Sequence, residues 1–140
     1  MDSADDPLAN MSAPDSQASL VVLIVDDEAP IAEALALIIE DAGYSTLIAY
    51  RGREGFELAH TYHPALIITD LMMPQMDGAA LISAVRGDYE SDHRTPPPIV
   101  AMTAGGIRYA QMTGADAVLQ KPFTIEEVES LLERFLPNGG

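Results

Sequence analysis

Two kinds of hydrophobic pattern alternate along the chain. Short, largely apolar stretches, several of them rich in β-branched residues, occupy residues 20–25, 45–50, 65–69, 99–103 and 117–120. Stretches of this length and composition predict strands that other elements cover on both faces, as in a parallel sheet. The segments between them carry apolar residues at helical spacing, so the chain predicts strands and helices in alternation.

The first and last helices are the best defined in the sequence. The first opens at Pro30, where the missing N–H of proline would have no partner anyway, and Gly43 follows its end. The last begins with a T-x-x-E capping box made of Thr124 and Glu127. The predicted buried positions are Ile31, Leu35, Ile38, Ile39 and Ala42 in the first helix, and Ile125, Val128, Leu131, Leu132 and Phe135 in the last.

The middle helices are less regular. Residues 53–62 and 79–86 predict the second and third helices, and the polar residues 87–98 predict a loop. The segment 105–114 has room for only a short fourth helix, and Gly105 and Gly106 weaken its start.

The alternation of elements predicts an α/β fold. We expect a doubly wound, flavodoxin-like, five-stranded parallel sheet of order 2-1-3-4-5, with right-handed crossovers and a shortened fourth helix. Residues 19–137 should form this domain, between a disordered acidic tail at residues 1–18 and a short C-terminal tail at residues 138–140. In this strand order, ligands lie at the carboxyl ends of the first and third strands.

Charge and composition exclude several function classes. With 7 basic and 22 acidic residues, the net charge of −15 opposes binding to nucleic acid or to an anionic membrane surface. The chain has no cysteine, which excludes disulfides, thiol catalysis and thiolate metal sites. No apolar run approaches the ~18 residues that a membrane span needs, and the N-terminus lacks a targeting pattern, so we expect a cytoplasmic protein.

Charged and hydroxyl side chains end four of the predicted strands. Asp26, followed by Asp27 and Glu28, ends the first strand, Asp70 the third, Thr103 the fourth and Lys121 the fifth. Two carboxylates ~4 Å apart repel by about 4 kcal/mol at an effective dielectric constant of ~20, so this edge needs a cation. A divalent ion such as Mg²⁺ suits aspartate oxygens, and Lys121, the only lysine, is the other candidate.

Each of these residues alone also has an ordinary structural explanation. An aspartate after a strand is often a turn former or a helix cap, and a single lysine is often a solvated surface residue. Their shared position at one edge of the predicted sheet favours a functional site. His60 and His63, by contrast, are not joined by an acid cluster and indicate a solvated helix end rather than a metal site.

Four motifs at these strand ends resemble a known family. Residues 20–136 resemble the receiver domains of bacterial two-component response regulators. The matching motifs are Asp26-Asp27-Glu28, the D-x-x-M-P-x-M-D-G stretch from Asp70 to Gly78, Thr103-Ala104, and Lys121-Pro122-Phe123. They span nearly the whole predicted domain.

The resemblance implies phosphoacceptor chemistry. In the family, a residue like Asp70 is the nucleophile that takes a phosphoryl group from a phosphohistidine of a histidine kinase or a histidine phosphotransfer protein. The resemblance assigns Mg²⁺ to Asp27, Asp70 and the backbone carbonyl of Met72, with Asp26 acting through water. Because it must be attacked, Asp70 is expected to stay exposed at the end of its strand.

The resemblance also implies how the phosphoryl group is held and sensed. Its oxygens are assigned to Thr103, Lys121 and the backbone N–H of Ala104, and the Lys121–Pro122 bond is expected to be cis. Inward movement of the Thr103 hydroxyl on phosphorylation would switch nearby loops and recruit a downstream target protein. Beyond its own Mg²⁺-dependent phosphorylation and dephosphorylation, the chain is not expected to be an enzyme.

The sequence departs from the family at two places near the expected switch. Three positions before Lys121, where the family usually has Tyr or Phe, the chain has Val118, and Tyr109 is the nearest aromatic substitute. Lys121 follows Thr103 by 18 positions, about one helical turn fewer than is usual, and the shortfall lies in the fourth helix. We predict Val118 to be a buried strand residue, and the short helix argues against the dimer that many receivers form through that face.

Other functions share parts of this pattern. A flavin-binding electron carrier has the same fold but needs Ser, Thr and Gly after the first strand, where this chain has Asp26, Asp27 and Glu28. A Mg²⁺-dependent phosphohydrolase with an aspartate nucleophile needs a second catalytic acid, but Met72 stands two positions after Asp70. A phosphorelay intermediate and a phosphorylation-independent interaction module stay open beside the single-domain response regulator that we predict.

Overall fold

The computed structural model describes residues 20–137 of the 140-residue chain. The predicted tails at residues 1–18 and 138–140 lie outside this part of the chain. Within it, no helix is both long enough and apolar enough to cross a membrane.

Five strands and five helices alternate along the described chain. The strands are β1 (Val21–Val25), β2 (Ser45–Ala49), β3 (Leu66–Asp70), β4 (Ile99–Thr103) and β5 (Ala117–Gln120). The helices are α1 (Ala29–Asp41), α2 (Gly52–Tyr62), α3 (Gly78–Ser91), α4 (Ile107–Met112) and α5 (Ile125–Phe135). All strand pairs are parallel, in the order β2-β1-β3-β4-β5, so the predicted α/β fold is confirmed.

The core has two halves, one on each face of the sheet. Successive strand residues point to opposite faces, so Ile24 and Ile68 pack under α1 and α5 while Leu23 and Ile67 pack against the α2 and α3 side. Because both faces of the sheet are covered, the strand sequences are almost continuously apolar. This burial is what fixes the register at which the strand ends meet.

The two well-defined helices form as predicted, with corrections to their buried faces. In α5 the Glu127 N–H donates to Thr124 Oγ1 at 3.1 Å, and the Thr124 N–H donates to Glu127 Oε1 at 2.9 Å, which completes the capping box. Ile125 is 54% exposed, so its predicted burial is wrong: it begins the helix, and helical spacing does not tell where the covering sheet ends. In α1, Ala32 and Ala36 lie inside, whereas Ile31 and Ile38 are only partly buried.

Helix α3 is longer than the sequence predicted. It continues to Ser91, so the prediction of a loop from residue 87 is wrong. The reason is Tyr89, which is 4% exposed and donates a hydrogen bond from its hydroxyl to the Ala59 carbonyl of α2 at 3.2 Å. This contact between α2 and α3 keeps an otherwise polar stretch helical. Helix α4 has only six residues, as expected.

Candidate functional site

The parallel register brings the ends of β1 and β3 together. Thr69 pairs with Val25 across these two strands, so the next residues, Asp70 and Asp26, lie side by side at the carboxyl edge. The Asp26 N–H donates to the Ala49 carbonyl at 3.0 Å, which extends the pairing of β1 with β2 past the last strand residue. Carboxylate oxygens of Asp26, Asp27 and Asp70 lie within 4.8 Å of one another.

Asp26 is fully buried, and its two carboxylate oxygens have different surroundings. Oδ1 accepts a hydrogen bond from the Glu28 N–H at 2.9 Å, which fixes the turn into α1. Oδ2 is buried and receives no hydrogen bond from the described residues, and Lys121 Nζ lies 3.0 Å from it as an ion-pair partner. A buried anionic oxygen requires a compensating charge, so its surroundings suit a cation.

Lys121 is the cation that these acids share. Its Nζ lies 3.0 Å from Asp26 Oδ2, 3.3 Å from Asp70 Oδ1 and 3.3 Å from Glu28 Oε1, and its side chain is 11% exposed. The backbone positions it, since the Lys121 N–H donates to the Thr103 carbonyl at 2.8 Å. The Lys121–Pro122 bond is cis, as expected. The lysine predicted from sequence therefore does reach the aspartates.

Burial and repulsion raise the pKa of Asp70. Desolvation is the larger cause and the neighbouring Asp26 charge the second, while Lys121 and the Met72 N–H act in the opposite direction. For Lys121, burial lowers the pKa, but the close ionic contacts with Asp26, Asp70 and Glu28 outweigh burial and leave the pKa raised. The ammonium therefore stays charged beside a carboxylate whose ionised form is disfavoured by burial.

Asp70 is not exposed, contrary to the sequence prediction. Only 5% of its surface is accessible, because it is the last residue of β3 and pairs with Met102 of β4 inside the sheet. The following loop also comes close: a Cβ on Gly78 would clash with the Asp70 carbonyl oxygen. Glycine at position 78 is thus required by the approach of the loop to the end of the strand.

The remaining predicted residues line the rim of the same edge. Thr103 is buried, and its Oγ1 accepts hydrogen bonds from the Gly106 N–H at 2.9 Å and the Gly105 N–H at 3.3 Å. The hydroxyl is therefore engaged with the loop before α4. Ala104 is exposed beside it, and Met72 is 73% exposed in the loop after β3.

Val118 does not lie with the charged residues. It is a strand residue of β5, as predicted, but it is partly rather than fully buried, and it packs against the core half on the α2 and α3 side. Tyr109, the nearest aromatic substitute, is 47% exposed on α4.

The acidic residues fit a hard divalent cation. Three carboxylates within 4.8 Å supply oxygen donors only, and one of them contributes the buried oxygen without a hydrogen bond. Mg²⁺ and Ca²⁺ prefer such oxygen donors, whereas nitrogen and sulfur donors favour transition metals. Mg²⁺, which is usually bound through one or two carboxylates and completed by water, suits a site of this size.

Two polar contacts were not predicted from the sequence. The Glu28 carboxylate, which the sequence only counted among the converging acids, pairs with Lys121. His60 Nδ1 lies 2.8 Å from Asp88 Oδ2, so the solvated helix end at this position joins α2 to α3. The contact of His60 with Asp88 could not be predicted, because residue 88 was expected to lie in a loop and not in α3.

Comparisons of sequence identify the family. A sequence model described as "Response regulator receiver domain" matches residues 22–133. The chain is 33% identical over 120 residues to response regulator Rre1 of Synechocystis sp., an alignment that covers 82% of this chain and 51% of that protein. The chain spans about half the length of the curated relatives it matches.

Comparisons of structure agree. Chemotaxis response regulator CheY4 of Vibrio cholerae is 32% identical with a TM-score of 0.73, over 84% of this chain and 99% of that one. The receiver domain of a sensor histidine kinase from Pseudomonas aeruginosa, solved with a magnesium ion in its active-site cleft, has a TM-score of 0.76 over 84% of this chain and 98% of that one. At 24% identity, this second likeness shows the shared fold alone. Together with the match over residues 22–133, these likenesses show that the chain belongs to the response regulator receiver domain family.

Proposed function

We propose that the chain is a phosphoacceptor switch that takes a phosphoryl group on Asp70. The observation that carries this proposal is the convergence of Asp26, Asp27 and Asp70 within 4.8 Å, with Lys121 Nζ 3.3 Å from Asp70. Phosphoryl transfer requires mainly positioning and charge stabilisation. Three acids and one lysine at a single strand edge supply both.

The proposed reaction is a transfer between two side chains. An Asp70 carboxylate oxygen attacks the phosphorus of a phosphohistidine, a P–O bond forms, and the P–N bond to the donor imidazole breaks. The departing imidazole takes up a proton from solvent. The raised pKa of Asp70, caused first by desolvation, fits this role, since a more basic carboxylate is a stronger nucleophile once ionised.

The acidic residues are proposed to hold Mg²⁺ for this step. Asp27 and Asp70 would bind it directly with the Met72 carbonyl, and Asp26 through water. When bound, the ion neutralises the carboxylates and the phosphoryl oxygens, which otherwise repel each other. Asp26 Oδ2, buried and without a hydrogen bond from the described residues, supports a cation at this place.

After transfer, Thr103, Lys121 and the Ala104 N–H are proposed to hold the phosphoryl oxygens. In the unphosphorylated structure, the Thr103 hydroxyl oxygen accepts hydrogen bonds from the N–H groups of Gly105 and Gly106. Turning that hydroxyl toward a phosphoryl group would release both N–H groups at the start of α4. The switch would therefore reach the surface of α4 by way of these two hydrogen bonds.

The partners follow from this chemistry. We propose that residues 19–137 form the receiver unit, that the donor is a histidine kinase or histidine phosphotransfer protein, and that the output is contact with a downstream target protein. A relay role, in which the phosphoryl group passes from Asp70 to another histidine, uses the same residues.

The test is phosphorylation by a small-molecule donor. The chain is incubated with acetyl phosphate, with Mg²⁺ or with EDTA, and its intact mass is measured beside Asp70→Asn. Asp41→Asn, which removes an exposed carboxylate at the end of α1, is the matched control. We expect one phosphoryl group that requires Mg²⁺, is absent in Asp70→Asn and is present in Asp41→Asn.

Two outcomes would contradict the proposal. Phosphorylation that persists in Asp70→Asn would place the acceptor elsewhere. No phosphorylation of the folded chain, either by acetyl phosphate or by a panel of phosphorylated histidine phosphotransfer domains, would favour a phosphorylation-independent interaction module. The exchange of the family's aromatic switch residue for Val118 is the observation that favours that second function.

A further inference from the structure

Glu28 is tied to the site by both its backbone and its side chain. Its N–H donates to Asp26 Oδ1 at 2.9 Å, and its carbonyl accepts from the Ile31 and Ala32 N–H groups in the first turn of α1. Its carboxylate accepts a hydrogen bond from Lys121 Nζ at 3.3 Å. The backbone contacts fix where the side chain starts, so the carboxylate is held within reach of Lys121.

The three acids that contact Lys121 differ in exposure. The side chains of Asp26 and Asp70 are 0% and 7% exposed, whereas that of Glu28 is 60% exposed. Lys121 therefore contacts two buried carboxylates and one carboxylate that is largely exposed to solvent. Glu28 is the contact on the solvent side of the ammonium.

Lys121 and a divalent cation would compete for the same two carboxylates, Asp26 and Asp70. Both are attracted to Asp26 and Asp70, and they repel each other, so the ammonium must move away from Asp26 when the aspartates bind a cation. An ammonium that leaves Asp26 without keeping another carboxylate loses its compensating charge. Glu28, which already accepts a hydrogen bond from Lys121, is a carboxylate that the ammonium keeps on the solvent side.

We propose that Glu28 is a positioning residue for Lys121, one that retains the ammonium at the mouth of the site when a divalent cation occupies the aspartates. This inference rests on the proposed function, because it assigns Mg²⁺ to Asp26, Asp27 and Asp70. Glu28 lowers the cost of moving Lys121 and so favours Mg²⁺ binding. It also leaves the ammonium beside Asp70, where the phosphoryl group arrives.

The test is Mg²⁺ binding to the unphosphorylated chain, measured by isothermal titration calorimetry with MgCl₂ alone. Glu28→Gln is compared with wild type and with Glu33→Gln, which removes an exposed carboxylate from the same helix. A solvated ion pair changes an equilibrium by only a few-fold, so we expect Kd to rise about threefold in Glu28→Gln and less than about 1.5-fold in Glu33→Gln.

Two further variants distinguish the effect of the Glu28–Lys121 contact on Mg²⁺ affinity from the effect of the Glu28 charge alone. In a Lys121→Met background, Glu28→Gln should change Kd by less than about 1.5-fold, because the residue through which Glu28 acts is gone. Glu28→Asp keeps the charge but shortens the side chain by one methylene, so it should resemble Glu28→Gln. This variant keeps the test decisive if Lys121→Met does not fold.

Each outcome decides a different claim. Equal shifts in Glu28→Gln and Glu33→Gln, or a Glu28→Asp variant that binds Mg²⁺ like wild type, would overturn the role of Glu28 and leave the proposed function intact. A wild-type chain that binds no Mg²⁺ would overturn the metal site of the proposed function, and this inference with it.

Discussion

Replacing Lys121 with methionine tests how the charges at the carboxyl edge are balanced. Methionine keeps an unbranched side chain of similar length but removes the ammonium that contacts Asp26, Asp70 and Glu28. Without Mg²⁺, two buried carboxylates then face each other with no cation between them. We expect the free energy of unfolding to fall substantially under these conditions.

The size of the loss follows from the distances. At an effective dielectric constant of about 20, pairs at 3.0 Å and 3.3 Å contribute about 5.5 and about 5 kcal/mol of attraction. Desolvation of the charges offsets several kcal/mol of this, and the exposed pair with Glu28 adds less than about 1 kcal/mol. We expect a net loss of about 3–5 kcal/mol, the range seen when one partner of a buried pair is removed.

The loss should depend on pH, and its sign follows from the raised pKa values. Because the pKa of Lys121 is raised in the folded state, its contribution to the free energy of unfolding is present in full below the unfolded-state pKa of about 10.4. This contribution is lost as pH rises through the raised folded-state pKa. A carboxyl with a raised pKa, such as Asp70, binds its proton more tightly in the folded state, so folding is less stable as pH rises through that pKa. The deficit of Lys121→Met should therefore be largest near about pH 8 and shrink near about pH 5, where Asp70 is more readily protonated.

Urea denaturation followed by far-UV circular dichroism measures this effect, with EDTA or with Mg²⁺. Mg²⁺ should restore more stability to Lys121→Met than to wild type, since it replaces the missing charge. Arg53→Met is the control, because it removes an equal charge from an exposed pair with Glu57 and should cost less than about 0.5 kcal/mol. A loss below about 1 kcal/mol with EDTA, equal at both pH values, would refute this account of the charge balance.

Three further substitutions test the close approach at Gly78 and the contacts between α2 and α3. Gly78→Ala should lower the free energy of unfolding in urea by about 1–3 kcal/mol, because its Cβ would clash with the Asp70 carbonyl oxygen. Gly87→Ala in the same helix, with open space around it, should be neutral or stabilising by up to about 1 kcal/mol. Equal effects of the two substitutions would contradict the close approach at Gly78. Tyr89→Phe removes the hydrogen bond to Ala59 and should cost about 1 kcal/mol, and an unchanged denaturation midpoint would exclude a role for that bond in holding α3. The Asp88 hydrogen bond and charge raise the pKa of His60, so stability from this pair is present below the ordinary value of 6.5 and is lost as pH rises through the raised value. In Asp88→Asn the His60 pKa measured by NMR should fall toward 6.5, and an unshifted titration would show that the contact does not form in solution.

Strand positions could be predicted because both faces of the sheet are covered. A strand that is buried on both sides has an uninterrupted apolar sequence, and the predicted bounds of β4 and β5 agree with the structure. The alternation with helices then restricts the topology to few choices, of which the observed strand order is a common one.

Errors arose where a tertiary contact decided the outcome. The polar stretch after Arg86 is helical because one tyrosine in it, Tyr89, packs on α2, and its spacing of four from Val85 was the available signal. The exposure of Asp70 was predicted from its expected role as a nucleophile, whereas its pairing with Met102 of β4 buries it.

Residues of the site could be predicted to share an edge, but their partners could not. The strand ends alone bring Asp26, Asp70, Thr103 and Lys121 to one side of the sheet. Which acids Lys121 contacts, and that the Thr103 hydroxyl bonds to Gly106, depend on side-chain directions that residue spacing does not specify.

The short α4 does not disturb the charged carboxyl edge, because contacts from α3 and β4 also fix β5. Arg86 of α3 donates to the Gly114 carbonyl at 2.7 Å and to Asp116 Oδ2 at 3.1 Å, and the same Asp116 oxygen accepts from the Ile99 N–H at 2.8 Å. These contacts fix the start of β5 against β4 and α3, so the strand that carries Lys121 does not depend on the length of α4. Val118 and the short α4, the two departures from the family, are therefore not among the contacts that position Lys121, whose N–H donates to the Thr103 carbonyl.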